Sequence, residues 1–479
     1  MRMEKQMTLY GTFDTSCLAT LYGDGLLQSG IPVFWVDADQ CVDLKDTVML
    51  KTRMEEYLKK GDYDKVKFIN RIMSQKDFAE KNAYAEHFPE MLQIEHTDIC
   101  NARCVMCNHY FTKNHGGSFL SLDVLSKVEN YLPYVSYIAL NGIGEPFLHP
   151  GILDIIESYE KYHIQLTTNT NLSVMNPELA AAVHRTFHDI QVSCDASNRE
   201  SYESIRKGLK FDNFLRNAAM LREAGNTEIC MAVVVMRQNI LQLPDIVELA
   251  ANLCFDKVVL LDLNTSRLLG NQDDTVRSFP HAAEYYIKKA GETAARRGIG
   301  FHSFDYVFQH DSASRKPPMQ ELEFINQHPQ YPDDSLAEQL YRLYEKAGYL
   351  EINFDAAQTD YCRPGTYSCT GNCLFVENRP FISAKGDVYN CCSRRMHSMG
   401  NLNTTEFSDI WNGDALMKIR SVFYQGNLPY YCSGCSYLMS GLMSDRLKLG
   451  EINSDFYEDR YDQLRMKIIK ERLGDICYV

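Results

Sequence analysis

From about residue 91 to residue 305 the sequence alternates short apolar segments with longer amphipathic ones. MLQIEHT and VSYIALNGI have the length and apolar content of buried strands, whereas SLDVLSKVENYL carries apolar residues at helical spacing. This alternation predicts an α/β fold built from βα units with a parallel sheet. About six such units fit, which predicts a partial (β/α)6 TIM-like barrel with its functional residues at the carboxyl ends of the strands.

The segments on either side of the barrel predict further units. A strand–helix–strand pattern occupies residues 7–40, and its single turn glycine, Gly11, favours a structural or protein-contact role over nucleotide binding. The predicted division is 1–88 (a small βαβ-type domain plus a charged, solvated helical connector), 89–305 (partial barrel), 306–360 (insertion or linker), 361–440 (cysteine-rich domain) and 441–479 (charged helical tail).

Charge and hydropathy limit the expected partners. The formal net charge is −14, and no Lys/Arg stripe offsets the repulsion of a phosphate backbone, so we expect no nucleic acid partner. No segment approaches about 20 uninterrupted apolar residues, and the first residues lack a signal-peptide pattern. We therefore expect no membrane partner and a cytoplasmic location.

The chain has 16 cysteines, which in a reducing compartment indicate metal binding or catalysis rather than disulfides. Five of them stand singly in apolar or mixed sequence and are expected to be small buried hydrophobic residues: Cys17, Cys41, Cys194, Cys230 and Cys254. The others form a tight triplet, a group of five between 362 and 392, a CxxC pair, and Cys477 near the end.

The triplet follows directly after the first predicted strand, with the spacing C-x3-C-x2-C: Cys100, Cys104 and Cys107. Three thiolates on one loop ligate three corners of a cubane 4Fe–4S cluster and leave the fourth iron without a protein ligand. An open metal position permits a small chelating molecule to bind, which catalysis needs. A zinc site completed by His109 is the alternative, and the location after the first strand of a βα repeat favours the cluster.

The triplet and the motifs behind it resemble the radical S-adenosylmethionine (SAM) superfamily. N-G-I-G-E-P at 141–146 is similar to the GGEP element, whose backbone holds the SAM amino group. The resemblance assigns the methionine carboxylate to the strand-end hydroxyl in V-S-C-D and the arginine in Y-E-S-I-R-K-G, and places the adenine beside the residue before the third cysteine. The positions that the resemblance implies for SAM binding are Met106, Gly144, Glu145, Pro146, Asn169, Ser193 and Arg206.

The cysteine-rich segment predicts a second metal centre. A hairpin turning at Lys385-Gly386 would bring Cys373 and Cys391 together, and a later CxxC completes four thiolates, enough for a zinc ion or a fully ligated 4Fe–4S cluster. The C-x12-G-x4-C element and the closing CxxC resemble the SPASM and twitch auxiliary-cluster domains, which implies two 4Fe–4S clusters in all. The implied ligands are Cys373, Cys391, Cys432 and Cys435, and the spare cysteines Cys362, Cys369 and Cys392 are expected to be structural or reactive thiols.

The resemblance implies reductive cleavage of SAM to a 5′-deoxyadenosyl radical that abstracts a hydrogen from the substrate, with a reductant such as flavodoxin or ferredoxin as partner. We expect a small polar substrate (a sugar, aminosugar or nucleotide-linked sugar) that is oxidised or dehydrated while the auxiliary cluster transfers an electron. Two alternatives stay open: a peptide-modifying enzyme that forms a crosslink or an epimerised residue, and a non-catalytic iron–sulfur electron relay.

Overall fold

The structure, a computed structural model, describes residues 47–107, 117–263, 271–303, 317–327, 364–368, 378–391, 398–425 and 427–429. The predicted strand–helix–strand pattern at 7–40 and the predicted tail at 441–479 lie outside these ranges.

The helices of the described ranges are α1 Thr47–Lys60, α2 Tyr63–Glu80, α3 Leu122–Glu129, α4 Ile152–Glu160, α5 Pro177–Thr186, α6 Arg199–Ile205, α7 Phe211–Glu223, α8 Leu243–Asn252, α9 Pro280–Arg297, α10 Met319–Asn326, α11 Phe407–Trp411 and α12 Asp414–Tyr424. The strands are β1 Met91–Ile94, β2 Arg103–Cys104, β3 Tyr137–Ala139, β4 Gln165–Thr170, β5 Phe187–Ser193, β6 Arg206–Lys207, β7 Glu228–Val235, β8 Lys257–Asp262, β9 Gly300–His302, β10 Pro364–Ser368, β11 Phe381–Ile382, β12 Asp387–Tyr389, β13 Gly400–Asn401 and β14 Asn427–Pro429.

One sheet of ten strands organises the described part of the chain, in the order β13-β12-β11-β1-β3-β4-β5-β7-β8-β9. Strands β1, β3, β4, β5, β7 and β8 are parallel, and at least one helix follows each of them before the next strand of the sheet. The predicted α/β partial barrel is therefore confirmed, and β9 adds a seventh parallel strand beside β8. All four residues of β1 are buried, as expected for a parallel sheet covered by helices.

The hairpin predicted around Lys385-Gly386 is also confirmed. Strands β11 and β12 pair antiparallel, and Gly386 takes φ +82°, a left-handed value that glycine adopts at no steric cost. The sequence did not predict where this hairpin would lie. It joins the barrel sheet, because β11 pairs parallel to β1 with Gln93 opposite Phe381.

Helices α1 and α2 pack against each other instead of forming a solvated connector. Their inward side chains make a small apolar cluster: Leu50, Met54, Val66, Ile69 and Met73. Asn70 of α2 exchanges hydrogen bonds with the backbone of Phe88, and Asp77 accepts from the N–H groups of Glu86 and His87. These bonds fix the segment that leads into β1. The same segment is also bound by α11, where the indole of Trp411 donates to the carbonyl of His87 at 2.9 Å.

The segment 306–360, predicted as an insertion or linker, contributes α10 in its described part. Glu321 of this helix accepts from the backbone N–H of Ala282 at 2.8 Å, in the first turn of α9. A carboxylate at this position stabilises a helix because the N–H groups of the first turn have no partner within the helix.

Candidate functional site

The three clustered cysteines lie on a loop that begins where β1 ends and is held by a second backbone segment. Cys104 sits in β2, which pairs antiparallel with β6 so that Cys104 faces Arg206. The N–H of Val105 donates to the carbonyl of Ile205 at 3.0 Å, and the N–H of Cys107 donates to that of Cys104 at 3.0 Å. All three cysteines are partly buried, and Met106 between them packs against the core.

The thiols of the loop are close enough to interact electrostatically. Burial raises the pKa of Cys104 to about 12, Arg206 lowers it, and the neighbouring Cys107 and Cys100 raise it further. Among the described residues no three His, Cys, Asp or Glu side chains converge as ligands of a single metal ion would. A cubane cluster does not require three side chains to converge on one point, since each cysteine ligates its own iron. Three soft thiolates on one compact loop are the donor set that such a cluster takes.

The glycine-rich loop after β3 lies directly on the backbone that leads into Cys100. A Cβ added at Gly144 would lie 2.3 Å from the carbonyl oxygen of Thr97 and 2.8 Å from that of Ile99. The N–H of Glu145 donates to the same Ile99 carbonyl at 2.8 Å, and Pro146 begins a short 3-10 helix. Glycine is thus required at 144 for the close approach of two main chains.

Glu145 is buried and ties this loop to the end of β4. Its carboxylate accepts from the hydroxyl of Thr170 at 2.6 Å and from the N–H of Asn171 at 2.7 Å. Burial raises the pKa of this carboxyl to about 7, although these hydrogen bonds favour the charged form. The side chain of Glu145 therefore acts inside the protein, where it ties the glycine-rich loop to the end of β4.

Glu95, which was not among the predicted site residues, reaches the same loop from the end of β1. One carboxylate oxygen accepts from the N–H of Ile143 at 2.6 Å, and the other accepts from the N–H of Ala384 at 3.2 Å. This buried side chain joins the glycine-rich loop to the hairpin of the cysteine-rich domain. The signal for it was present in MLQIEHT, where a carboxylate directly follows the buried strand MLQI.

At the end of β4 a second asparagine, Asn171, reaches the cysteine loop, while Asn169 stays a predicted SAM contact. Asn169 is exposed, whereas Asn171 is buried and its amide nitrogen lies 4.0 Å from the sulfur of Cys100 and 3.1 Å from the side-chain oxygen of Asn101. The sequence T-T-N-T-N offers both residues. Nothing in the pattern alone shows which of them lies beyond the strand and facing the loop.

Ser193 ends β5 and is partly buried, and the next polar residue on this strand end is Asp195. Asp195 is fully buried, accepts from the N–H of Val234 at 2.8 Å and pairs with the guanidinium of Arg206 at 2.6 Å. Despite the desolvation that burial imposes, the pKa of Arg206 is raised, because this carboxylate lies beside it. The other terminal nitrogen of Arg206 lies 3.8 Å from the sulfur of Cys104.

Of the predicted auxiliary ligands, the described residues include only Cys391, which is buried. It follows β12, which runs antiparallel to β11, so it lies towards the amino end of β1. The loop of Cys100 begins beyond the carboxyl end of the same strand. The other predicted auxiliary ligands and spare cysteines lie outside the described ranges: Cys362, Cys369, Cys373, Cys392, Cys432, Cys435 and Cys477.

Three of the singly placed cysteines are described. Cys194 and Cys230 are buried, as predicted, whereas Cys254 is exposed. Cys254 follows α8 in a left-handed conformation with φ +56°, so its position at a turn, and not its apolar context, decides its exposure.

Two family descriptions match the chain. Residues 94–250 match the radical SAM superfamily, and residues 373–436 match SPASM, an iron–sulfur cluster-binding domain. The first segment runs from the end of β1 into α8 and holds the cysteine loop with the motifs that surround it. No helix within the described ranges has both the length and the apolar content needed to cross a membrane.

Curated relatives match about a third of the chain. The mycofactocin maturase MftC of Mycolicibacterium smegmatis is 30% identical over 167 residues, covering 34% of this chain and 42% of that protein. A probable GTP 3′,8-cyclase of Thermoplasma volcanium is 30% identical over 166 residues, covering 33% of this chain and 50% of that protein. The matches thus span about half the length of these relatives or less.

A solved structure matches over a longer stretch. The crystal structure of Streptococcus suis SuiB bound to precursor peptide SuiA aligns with a TM-score of 0.50 over 90% of this chain and 86% of that one. The sequences are 14% identical in this alignment, so the similarity is one of fold.

Proposed function

We propose that this chain, which combines a radical SAM domain with a C-terminal SPASM iron–sulfur cluster-binding domain, is an enzyme that modifies a peptide. The observation that carries the proposal is the fold similarity to SuiB, a protein crystallised with its precursor peptide, along 90% of this chain. Over 167 residues the chain is also 30% identical to a protein named as a maturase. These similarities favour the peptide-modifying alternative over the small polar substrate expected from the sequence.

The carboxyl edge of the barrel supplies what SAM-dependent chemistry needs from the protein. When bound, the cluster and SAM supply a 5′-deoxyadenosyl radical, which abstracts a hydrogen atom from the substrate. The chain's own contribution is to hold the cluster and SAM and to keep the cysteine loop and the glycine-rich loop fixed. Cys100, Cys104 and Cys107 would hold the cluster, and the backbone at Gly144 is the predicted contact of the SAM amino group.

The buried carboxylates of this edge keep those loops in place. Glu145 fixes the glycine-rich loop to the end of β4, and Glu95 fixes it to the end of β1. Rigid support of this kind favours catalysis, because a displacement of about 1 Å at a positioned ligand can cost roughly 100-fold in rate.

For the C-terminal domain we propose electron transfer as the role of the auxiliary cluster. Cys391 lies towards the amino end of β1, whereas the loop of Cys100 follows its carboxyl end. Four strand residues rise about 13 Å, so a centre at Cys391 and a substrate at the Cys100 edge would not touch. This separation supports the exchange of electrons over direct ligation of substrate.

The experiment is to reconstitute the full chain anaerobically, reduce it with dithionite in the presence of SAM, and measure 5′-deoxyadenosine by liquid chromatography. The candidate substrates are short peptides encoded beside the gene. GTP and a panel of aminosugars are tested in the same way as alternative substrates. We expect peptide to stimulate 5′-deoxyadenosine formation, and the Cys100→Ala variant to lose it. Stimulation by GTP or an aminosugar, with none by peptide, would overturn the proposal.

The mass and isotope content of the product then separate the reaction types. A crosslinked peptide loses two hydrogen atoms, whereas an epimerised peptide keeps its composition and gains deuterium from heavy water at one carbon. Only the first outcome is a net oxidation and needs an electron acceptor. It would therefore also support the electron-transfer role of the auxiliary cluster.

A further inference from the structure

Arg206 lies in a position that the backbone fixes. It is the first residue after α6, and in the β2–β6 pair it stands directly opposite Cys104. Side chains that face each other in an antiparallel pair begin about 5 Å apart. The approach of the guanidinium to the sulfur of Cys104, at 3.8 Å, thus follows from the strand register.

The guanidinium is also held from its other side. Its second terminal nitrogen lies 2.6 Å from Asp195, and the side chains are 8% and 0% exposed respectively. A buried ion pair is rigid because neither partner can leave without stranding a charge. Asp195 is itself fixed by the N–H of Val234 at 2.8 Å.

From this arrangement we propose that Arg206, held by Asp195, is a positioning and tuning residue for the cluster ligated by Cys104. The potential of an iron–sulfur cluster depends on net charge and on hydrogen bonds to its sulfurs. Reduction adds one negative charge, so a cationic donor at a ligating sulfur favours the reduced state and raises the potential. The carboxylate of Asp195 opposes this effect in part.

The proposal rests on the cluster at the cysteine loop and not on the peptide assignment, so either can fail alone. It also differs from the prediction that Arg206 binds the methionine carboxylate of SAM. That contact requires SAM, whereas a charge beside Cys104 acts on the cluster in its absence.

The test is a redox titration of the anaerobically reconstituted full chain without SAM, followed by electron paramagnetic resonance. A separate sample with SAM identifies the relevant signal, since only the cluster that binds SAM changes its spectrum. We expect Arg206→Gln to lower the equilibrium constant for reduction about tenfold, a fall of about 59 mV for one electron. We expect Asp195→Asn to raise the potential, and Arg206→Lys to lie near the wild type.

A matched control is Arg237, another guanidinium that is nine-tenths buried and paired with a carboxylate. It contacts Asp274 at 2.9 Å and stacks on Phe324 at 4.6 Å. Arg237→Gln therefore disrupts an ion pair of the same kind and is expected to leave the potential unchanged.

An unchanged potential in Arg206→Gln would overturn the proposal, and a weaker SAM affinity in the same variant would then assign Arg206 to the SAM carboxylate. Shifts of the same sign in Arg206→Gln and Asp195→Asn would also overturn it, because they would indicate a structural disturbance. If Arg206→Gln fails to retain iron, Asp195→Asn decides, since an upward shift supports the proposal and an unchanged potential contradicts it.

Discussion

The close contact at Gly144 gives the sharpest prediction. A Cβ at this position would lie 2.3 Å from the carbonyl oxygen of Thr97 and 2.8 Å from that of Ile99. Ordinary contacts between carbon and carbonyl oxygen are about 3.3–3.6 Å, so the two main chains must separate by about 1 Å. Both neighbours are backbone atoms, and a change of rotamer cannot relieve the overlap. Overpacking of this kind costs about 1–3 kcal/mol.

We expect Gly144→Ala to weaken SAM binding at least tenfold, which corresponds to about 1.4 kcal/mol. The loop would move away from the residues that lead into Cys100, and its predicted contact with the SAM amino group would be lost. The assay is equilibrium dialysis of SAM against anaerobically reconstituted protein, with iron content measured on the same samples.

Gly151→Ala is the matched control, because this glycine precedes α4 and its Cβ would meet nothing closer than 3.5 Å. It is expected to bind SAM like the wild type. An unchanged SAM affinity in Gly144→Ala, or an equal loss in Gly151→Ala, would refute the reasoning.

Three further predictions concern the same edge of the sheet. Iron content should fall from about eight to about four per chain when the first cluster's ligands are all replaced by alanine: Cys100, Cys104 and Cys107. Stoichiometric zinc with negligible iron in the wild type would contradict this. For Glu145, burial raises the pKa from its ordinary 4.5 to about 7. The protonated carboxyl therefore stabilises the folded state fully below pH 4.5, and this contribution is lost as pH rises through 7. The free energy of unfolding falls by about 3 kcal/mol at most. Since this loss falls between pH 4.5 and 7, Glu145→Gln should lose less unfolding free energy than the wild type over that range in urea titrations, and parallel curves would count against it. Asn171→Ala should release iron to a chelator faster than the wild type, whereas Asn169→Ala, at an exposed position, should not; equal rates in the two variants would be evidence against a role for Asn171.

The sequence predicted the fold well where its pattern is local. Strands such as EICMAVVV in β7 are short apolar runs, and the helices between them carry apolar residues at helical spacing, so the six βα units could be read directly. The hairpin at Gly386 was equally local. The pairing of this hairpin with β1 could not be predicted, since nothing in PFISA specifies the distant strand beside which the hairpin lies.

The site was predictable as a set of motifs and not as a set of contacts. The cysteine spacing and the glycine-rich loop are contiguous in sequence, and the structure brings them together. Asn171 was missed because its approach to Cys100 depends on where β4 ends. The contact of Arg206 with Cys104 was missed because the pairing of β2 with β6, two residues each, leaves no periodic signal.

The pairing of β11 with β1 also dictates an order of events during synthesis. Near this edge the backbone N–H of Glu90 donates to the side chain of Asn378, which is 288 positions further along the chain. At about 5–20 residues per second a ribosome takes roughly 15 to 60 s to cover that distance. Throughout this interval β1 lacks β11 as its neighbour and has an unpaired strand edge on that side. Such an edge can pair with a strand of another molecule. A truncated product ending before residue 378 would lack β11 and would therefore keep that edge of β1 open to pairing with another molecule.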